Sequence, residues 1–119
     1  MAGHMELQVW REQCATDDEG NEIPASYGGT PTPRSVAWWG RYGARGYMDS
    51  TDPVGPCDTA AEAAVDTFDI YGDDSLADRE ELVRVMREAS VSYADIAATL
   101  GIDTNPEWAV KGWVRSEED

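Results

Sequence analysis

Three times in the second half of the chain a Ser or Thr stands three residues ahead of an acid and just before an apolar run: Thr59 with Glu62, Ser75 with Asp78, and Ser92 with Asp95. In this arrangement the hydroxyl accepts from the amide of the third residue, and the acid sits where the first free helix amides need a partner. Each pair therefore marks a helix start. Glycines at 72 and 101 supply stops, so a helix is predicted over about 60–71 and another from Ser92 to Gly101. The helix begun at Ser75 carries Leu82, Met86 and Ala89 on one face, with Glu80–Arg84 and Arg84–Glu88 as exposed i,i+4 pairs. A fourth helix is predicted from Asn105-Pro106, because proline suits the first helical position. It carries Trp108, Val110, Trp113 and Val114, and both tryptophans are expected to pack inward.

The first half is built from other materials. Leu7 to Trp10 alternates apolar and polar residues and reads as a short strand, followed by a turn at Asp17-Asp18-Glu19-Gly20-Asn21. That turn resembles half of a calcium loop, but Glu22 stands where the obligatory glycine would fall, so no metal is expected. Tyr27 to Pro33 is a Gly/Pro connector, expected to hold neither a central strand nor a helix. Ser35–Tyr42 and Gly46–Asp49 then read as a hairpin turning around Gly43-Ala44-Arg45, and Thr51 to Pro56 as a second connector. Strand alternation puts Val36 and Trp38 on one face and Ala37 and Trp39 on the other. One tryptophan should enter the core and its neighbour should stay partly exposed.

The fold class expected from this order is α+β: a small antiparallel sheet packed on the helix 60–71, followed by a three-helix unit sharing its core. Met1 to Met5 reads as a vector-derived leader, residues 6–74 as the sheet plus helix, and 75–119 as the three-helix unit.

Charge restricts what such a chain can bind. With 24 acids against 9 bases the formal charge is -15, which excludes a free-standing basic nucleic-acid binder. The acidity is concentrated: residues 49–81 hold eleven acids and one Arg, while no acid lies between Glu22 and Asp49. Eight Arg against one Lys, with Asp in excess of Glu, is also the composition of salt-adapted proteins, whose surface carboxylates maintain solubility.

Catalytic chemistry has little to work with. His4, the only histidine, falls in the leader, so no imidazole base or zinc ligand is expected; the chain reads as a non-enzyme with no cofactor. Cys14 and Cys57 are too few for a metal cage, and a reduced pair is the simplest reading, with a disulfide left open. No run approaches the 18 apolar residues of a membrane span, which points to a soluble, cytoplasmic protein.

Ser92-Tyr93-Ala94-Asp95-Ile96-Ala97-Ala98-Thr99-Leu100-Gly101-Ile102 resembles the first helix and turn of a helix-turn-helix unit, with Ala97 as the small residue, Gly101 as the turn glycine and Ile102 as the apolar anchor. The resemblance covers about residues 76–115 and implies a DNA-binding module whose last helix, with Lys111 and Arg115 as phosphate contacts, enters a major groove. Two bases against Glu107 give that helix weak phosphate attraction.

The acidic helix supports a different reading. At about 100° per residue, Glu62, Asp66 and Asp69 share one face, while Ala61, Ala64, Val65 and Phe68 take the opposite one. Asp58 and Asp73 bracket the row, and Asp49, Asp52, Asp74, Asp78, Glu80 and Glu81 are candidates to lie beside it. Carboxylates on successive turns stand about 5–6 Å apart, comparable with phosphates along one strand. The expected function is an acidic interaction or inhibitor protein whose row Asp58, Glu62, Asp66, Asp69, Asp73 and Asp74 occupies the basic surface of a nucleic-acid-handling protein by DNA or RNA mimicry. In composition the chain resembles the anti-restriction and anti-CRISPR inhibitors of phages and mobile elements. The alternative is a helix-turn-helix regulator. Trp38, Trp39, Tyr42 and Tyr47 with Arg34, Arg41 and Arg45 have the chemistry of a base-stacking platform, but so short a chain needs those rings for its core.

Overall fold

The computed structural model describes residues 5–44, 50–73, 75–102 and 106–115. Four strands and four helices follow one another as β1 (Met5–Thr16), β2 (Glu22–Pro24), a 3-10 turn (Ala25–Tyr27), β3 (Thr30–Ala44), β4 (Val54–Cys57), α1 (Ala60–Tyr71), α2 (Leu76–Glu88), α3 (Tyr93–Leu100) and α4 (Pro106–Arg115). The strands form one antiparallel sheet in the order β2-β1-β3-β4, and the helices pack on it, which is the expected α+β class.

The helix starts follow the caps. Thr59, Ser75 and Ser92 each accept, through the side-chain oxygen, the amide of the residue three further on. Gly101 ends α3 in the left-handed region at φ 78, where a Cβ is disfavoured. Arg84 pairs with Glu88 at 3.1 Å as expected, but its second partner is Glu81 at 3.6 Å rather than Glu80. Spacings of three and four both bring side chains together on a helix, and here the shorter one wins.

The sheet departs further from expectation. β1 begins at Met5, which pairs with Ala44 and packs against the core, so Met5, read as the last residue of the leader, is a strand residue. β3 runs through Pro31 and Pro33, the region read as a connector. It does so because the ladder jumps there: Pro31 pairs with Ala15 and Val36 with Gln13, leaving Thr32 to Ser35 as a bulge opposite Cys14, with Arg34 at φ 64. Proline costs no ladder hydrogen bond at such an irregularity. Gly43 and Ala44 are strand residues paired with Glu6 and Met5, not a turn; the expected second hairpin strand at Gly46–Asp49 and its turn residue Arg45 lie outside the described residues. The second expected connector contains β4, an edge strand whose Gly55-Pro56 segment bulges between its two ladder contacts with Trp38 and Gly40.

Two cores result. On one face of the sheet Leu7 and Tyr42 meet Ala61, Ala64 and Val65 of α1, Leu82 and Met86 of α2, Ile96 and Ala97 of α3 and Val110 of α4. On the other face Trp39, 0% exposed, packs with Cys14, Ala37 and Trp10. Among the described residues no helix contributes to that cluster. The outer strands β2 and β4 instead approach each other, and the Gly55 backbone lies so close to the indole that a Cβ would stand 2.8 Å from its Cε3. Trp38, on the helix-facing side, stays half-buried, so the two neighbouring tryptophans divide as strand alternation requires.

Candidate interaction face

α1 lies across β3 with Ala60, Ala61, Ala63, Ala64, Val65 and Thr67 buried. Small residues let it sit close: Gly40 of β3 passes under Ala63 and Thr67, and α2 and α3 flank the helix. Only a narrow stripe remains for solvent. Glu62, Asp66 and Asp69 occupy it, all exposed, as the helical wheel predicts.

The flanking acids are placed differently. Asp58 precedes the cap and Asp73 follows the Gly72 stop, so both are exposed but neither continues the helical row. Asp74 lies outside the described residues. Of the acids expected alongside, Glu81 is buried with Leu82 and Met86 on the core side of α2 and is not part of the exposed row. Asp78 is half-buried and accepts the Asp73 amide at 2.8 Å. Asp52 and Glu80 are exposed, and Asp49 is not among the described residues.

Within the described residues no ion pair engages Asp58, Glu62, Asp66, Asp69 or Asp73. Glu62 accepts from the Thr59 hydroxyl at 3.2 Å, and Asp66 accepts from the Cys57 thiol at 3.7 Å. The carboxylates act on that thiol. Burial, with Asp66, Glu62 and Asp58 adding negative potential, pushes its pKa up to about 11. Cys57 and the buried Cys14 are free thiols, not a disulfide. In the native protein neither should react with a disulfide reagent at pH 8: Cys14 is 1% exposed and out of the reagent's reach, and at Cys57 a pKa near 11 leaves about one thiol in a thousand ionised. Two equivalents should titrate at once after denaturation; a fast native reaction at Cys57 would show that the acidic surroundings are absent.

Ile70, 61% exposed, stands beside the carboxylate stripe, about 40° from Asp66 around the helix, whereas Tyr71, 42% exposed, lies on the other side of α1 at its C-terminal end. A shallow cleft between α1 and the β4 edge joins Asp66, Asp69 and Ile70 to Val54 and Pro56.

The C-terminal helix behaves otherwise than expected. Trp113 packs edge-on against Phe68, with ring centroids 6.1 Å apart, and under the Arg79 guanidinium at 4.8 Å. Trp108 is 76% exposed. Five residues turn a helix through about 500°, so the two rings point some 140° apart and cannot share the core that Ala109 and Val110 already fill. Lys111, a candidate phosphate contact, holds Glu107 at 2.9 Å; the Arg115 side chain is not among those described.

The aromatic and arginine cluster is dispersed by the sheet. Trp39 and Tyr42 are core residues on opposite faces. Arg41 lies over Trp10 at 5.0 Å and beside Tyr27, and bonds Gln8 Oε1 at 2.7 Å and Tyr27 Oη at 2.6 Å. Next to it Glu12 accepts from Ser26 and from Trp10 Nε1. Burial raises that carboxyl's pKa, but these bonds and the Arg41 charge outweigh it and hold the group below its usual value. This network ties β1, β3 and the 3-10 turn together, so the described members Trp39, Tyr42 and Arg41 do not form one platform; Arg45 and Tyr47 lie outside the described residues.

Among the described residues no group of three or more His, Cys, Asp or Glu is arranged to hold a metal ion, and no helix is long and apolar enough to cross a membrane. Comparison with protein-family models, with curated proteins and with solved structures gave no match.

Proposed function

We propose that the protein is a non-enzymatic interaction protein, of the inhibitor kind found in phages and mobile elements, that lays the exposed face of α1 on the basic surface of a nucleic-acid-handling protein. The observation that carries this reading is the stripe Glu62, Asp66 and Asp69. Three carboxylates face solvent on one side of a helix whose Ala60, Ala61, Ala63, Ala64, Val65 and Thr67 are buried, and no cation among the described residues pairs with them. Like charges held this close repel one another in the free protein, and a basic partner removes that cost. Asp58 and Asp73 lie off the row, beyond the two ends of α1; the three carboxylates of the row stand on successive turns about 5–6 Å apart, a spacing comparable with phosphates along one strand. The row is too sparse for a duplex, at one charge per ~1.7 Å. The groove filled is therefore one that holds a single strand, or one strand of a duplex. The Glu107–Lys111 pair on α4 gives the DNA-binding alternative less support.

The test is affinity capture with wild type and with Glu62→Gln/Asp66→Asn/Asp69→Asn, compared across a salt series. A nucleic-acid-binding partner held by wild type, released by competing nucleic acid and by rising salt, and lost from a triple variant that melts no lower than wild type is the expected result. Screening acts over a Debye length of about 10 Å at 0.1 M salt, so the release should be graded. Equal retention by the well-folded triple variant overturns the reading. Direct capture of duplex DNA by the purified protein would favour the regulator. Loss of stability as salt is removed, with partner binding unaffected by the three changes, would identify the carboxylates as salt adaptation.

A further inference from the structure

At the C-terminal end of the α1 stripe an open cleft of ≈ 510 Å³ lies between α1, the start of α2 and β3. Asp73 and Asp78 stand on its wall, Tyr71 offers a ring that is 42% exposed, and Thr51 closes one side. The floor includes Tyr42, only 4% exposed, whose hydroxyl has no hydrogen-bond partner. That hydroxyl is at the cleft and not deep in the core: a Cβ placed on Gly72, which also lines the cleft, would fall 2.9 Å from Tyr42 Oη. A buried hydroxyl without a partner is costly, and the great majority in folded proteins have one.

Apart from the apolar Met5, the groups lining this cleft suit a cation with several donors. The end of α1 contributes the negative pole of a helix. The Asp73 carboxylate has no cation paired with it, and Asp78 has one oxygen engaged by the Asp73 amide and the other available. Tyr42 Oη can accept while its proton turns toward a carboxylate, and the Tyr71 ring can cover a flat cation. An ammonium is a point charge; a guanidinium has five donors in a planar fork, which matches two carboxylates, one hydroxyl and one ring face.

We propose that this cleft is a receptor for an arginine side chain of the partner, with Asp73 and Asp78 binding the guanidinium, Tyr42 Oη accepting one of its N–H groups and Tyr71 stacking on it. The proposal rests on the reading that the α1 face meets a basic surface, and it makes one arginine of that surface an anchor instead of a diffuse charge.

The experiment titrates isotope-labelled protein with N-acetyl-arginine methylamide and with the lysine equivalent, following the amides of Tyr71, Gly72, Asp73 and Asp78. Saturable shifts confined to these amides, weaker for lysine, are expected. Tyr42→Phe keeps the ring in the core and removes only the oxygen, so it should weaken arginine binding by about tenfold while the melting temperature holds or rises. Asp73→Asn, at an exposed position with no packing role, should weaken it comparably, and Asp18→Asn in the β1–β2 turn should leave it unchanged. Equal binding of lysine and arginine, shifts elsewhere, or full affinity in Tyr42→Phe would overturn the proposal. Its failure is distinct from failure of the parent reading: if oligo-arginine still binds wild type and is lost from the α1 triple variant, the stripe stands and only the receptor falls.

Discussion

Gly40→Ala should cost about 3 kcal/mol or more, at the upper end of what overpacking a core does. A Cβ at this position would lie 2.1 Å from Thr67 Oγ1 and 2.8 Å from the Ala63 carbonyl oxygen, both on the α1 face that rests on β3. Thr67 cannot simply turn away, because its hydroxyl, fully buried, donates to Ala63 O at 2.6 Å. Nor can the helix lift easily, since α2 and α3 pack on it as well as the sheet. A loss of this size lowers the melting temperature by roughly 10–20 °C in a domain of this length. Thr67→Ala added to Gly40→Ala should recover only part of it, because the second clash is with backbone. A melt of Gly40→Ala indistinguishable from wild type would mean that α1 does not sit on the sheet at this crossing. That outcome would also undo the acidic stripe, whose exposure depends on how α1 is seated.

The contrast between what the chain announces and what it conceals follows from the range of the interactions. α1 is bounded by Thr59 and Gly72, and the solvent side of Glu62, Asp66 and Asp69 follows from helical period alone, so both are legible in twelve consecutive residues. The sheet is not local. β1 extends to Thr16 across Arg11, Glu12 and Gln13, which break the apolar alternation because their partners, among them Ser26 and Thr32, come from elsewhere in the chain. Pro31 and Pro56 read as breakers, yet both lie in strands at places where the ladder is interrupted. The candidate site divides in the same way. Its carboxylates are written in one helix, whereas the cleft joining Tyr42 to Gly72 and Asp73 needs β3 and α1 to have docked, and no spacing in the sequence carries that information.

Trp39→Ala should destabilise the protein by ~3–5 kcal/mol, and Trp38→Ala by distinctly less, although the two are neighbours in one strand. Trp39 is 0% exposed, donates Nε1–H to the Glu12 carbonyl at 3.3 Å, and fills the small core that β2 and β4 close from the two ends of the sheet. Among the described residues no helix contributes to that cluster and could collapse into the vacated space, and Gly55 has no side chain to enter it, so the cavity should persist. Trp38 faces the helices, but it is only partly buried and lines the open clefts beside α1 and α2, so less burial is lost when it is truncated. Chemical denaturation of the two variants measures the difference directly. Trp39→Phe, which keeps an aromatic ring in the pocket, should fall between Trp39→Ala and wild type. A reversed order, with Trp38→Ala the more damaging, would mean that β3 is shifted by one residue against β1, because such a slip exchanges the faces of every side chain in the strand. It would also turn Tyr42 away from the main core and remove its hydroxyl from the cleft, so this pair of substitutions tests the register on which both the fold and the arginine receptor depend.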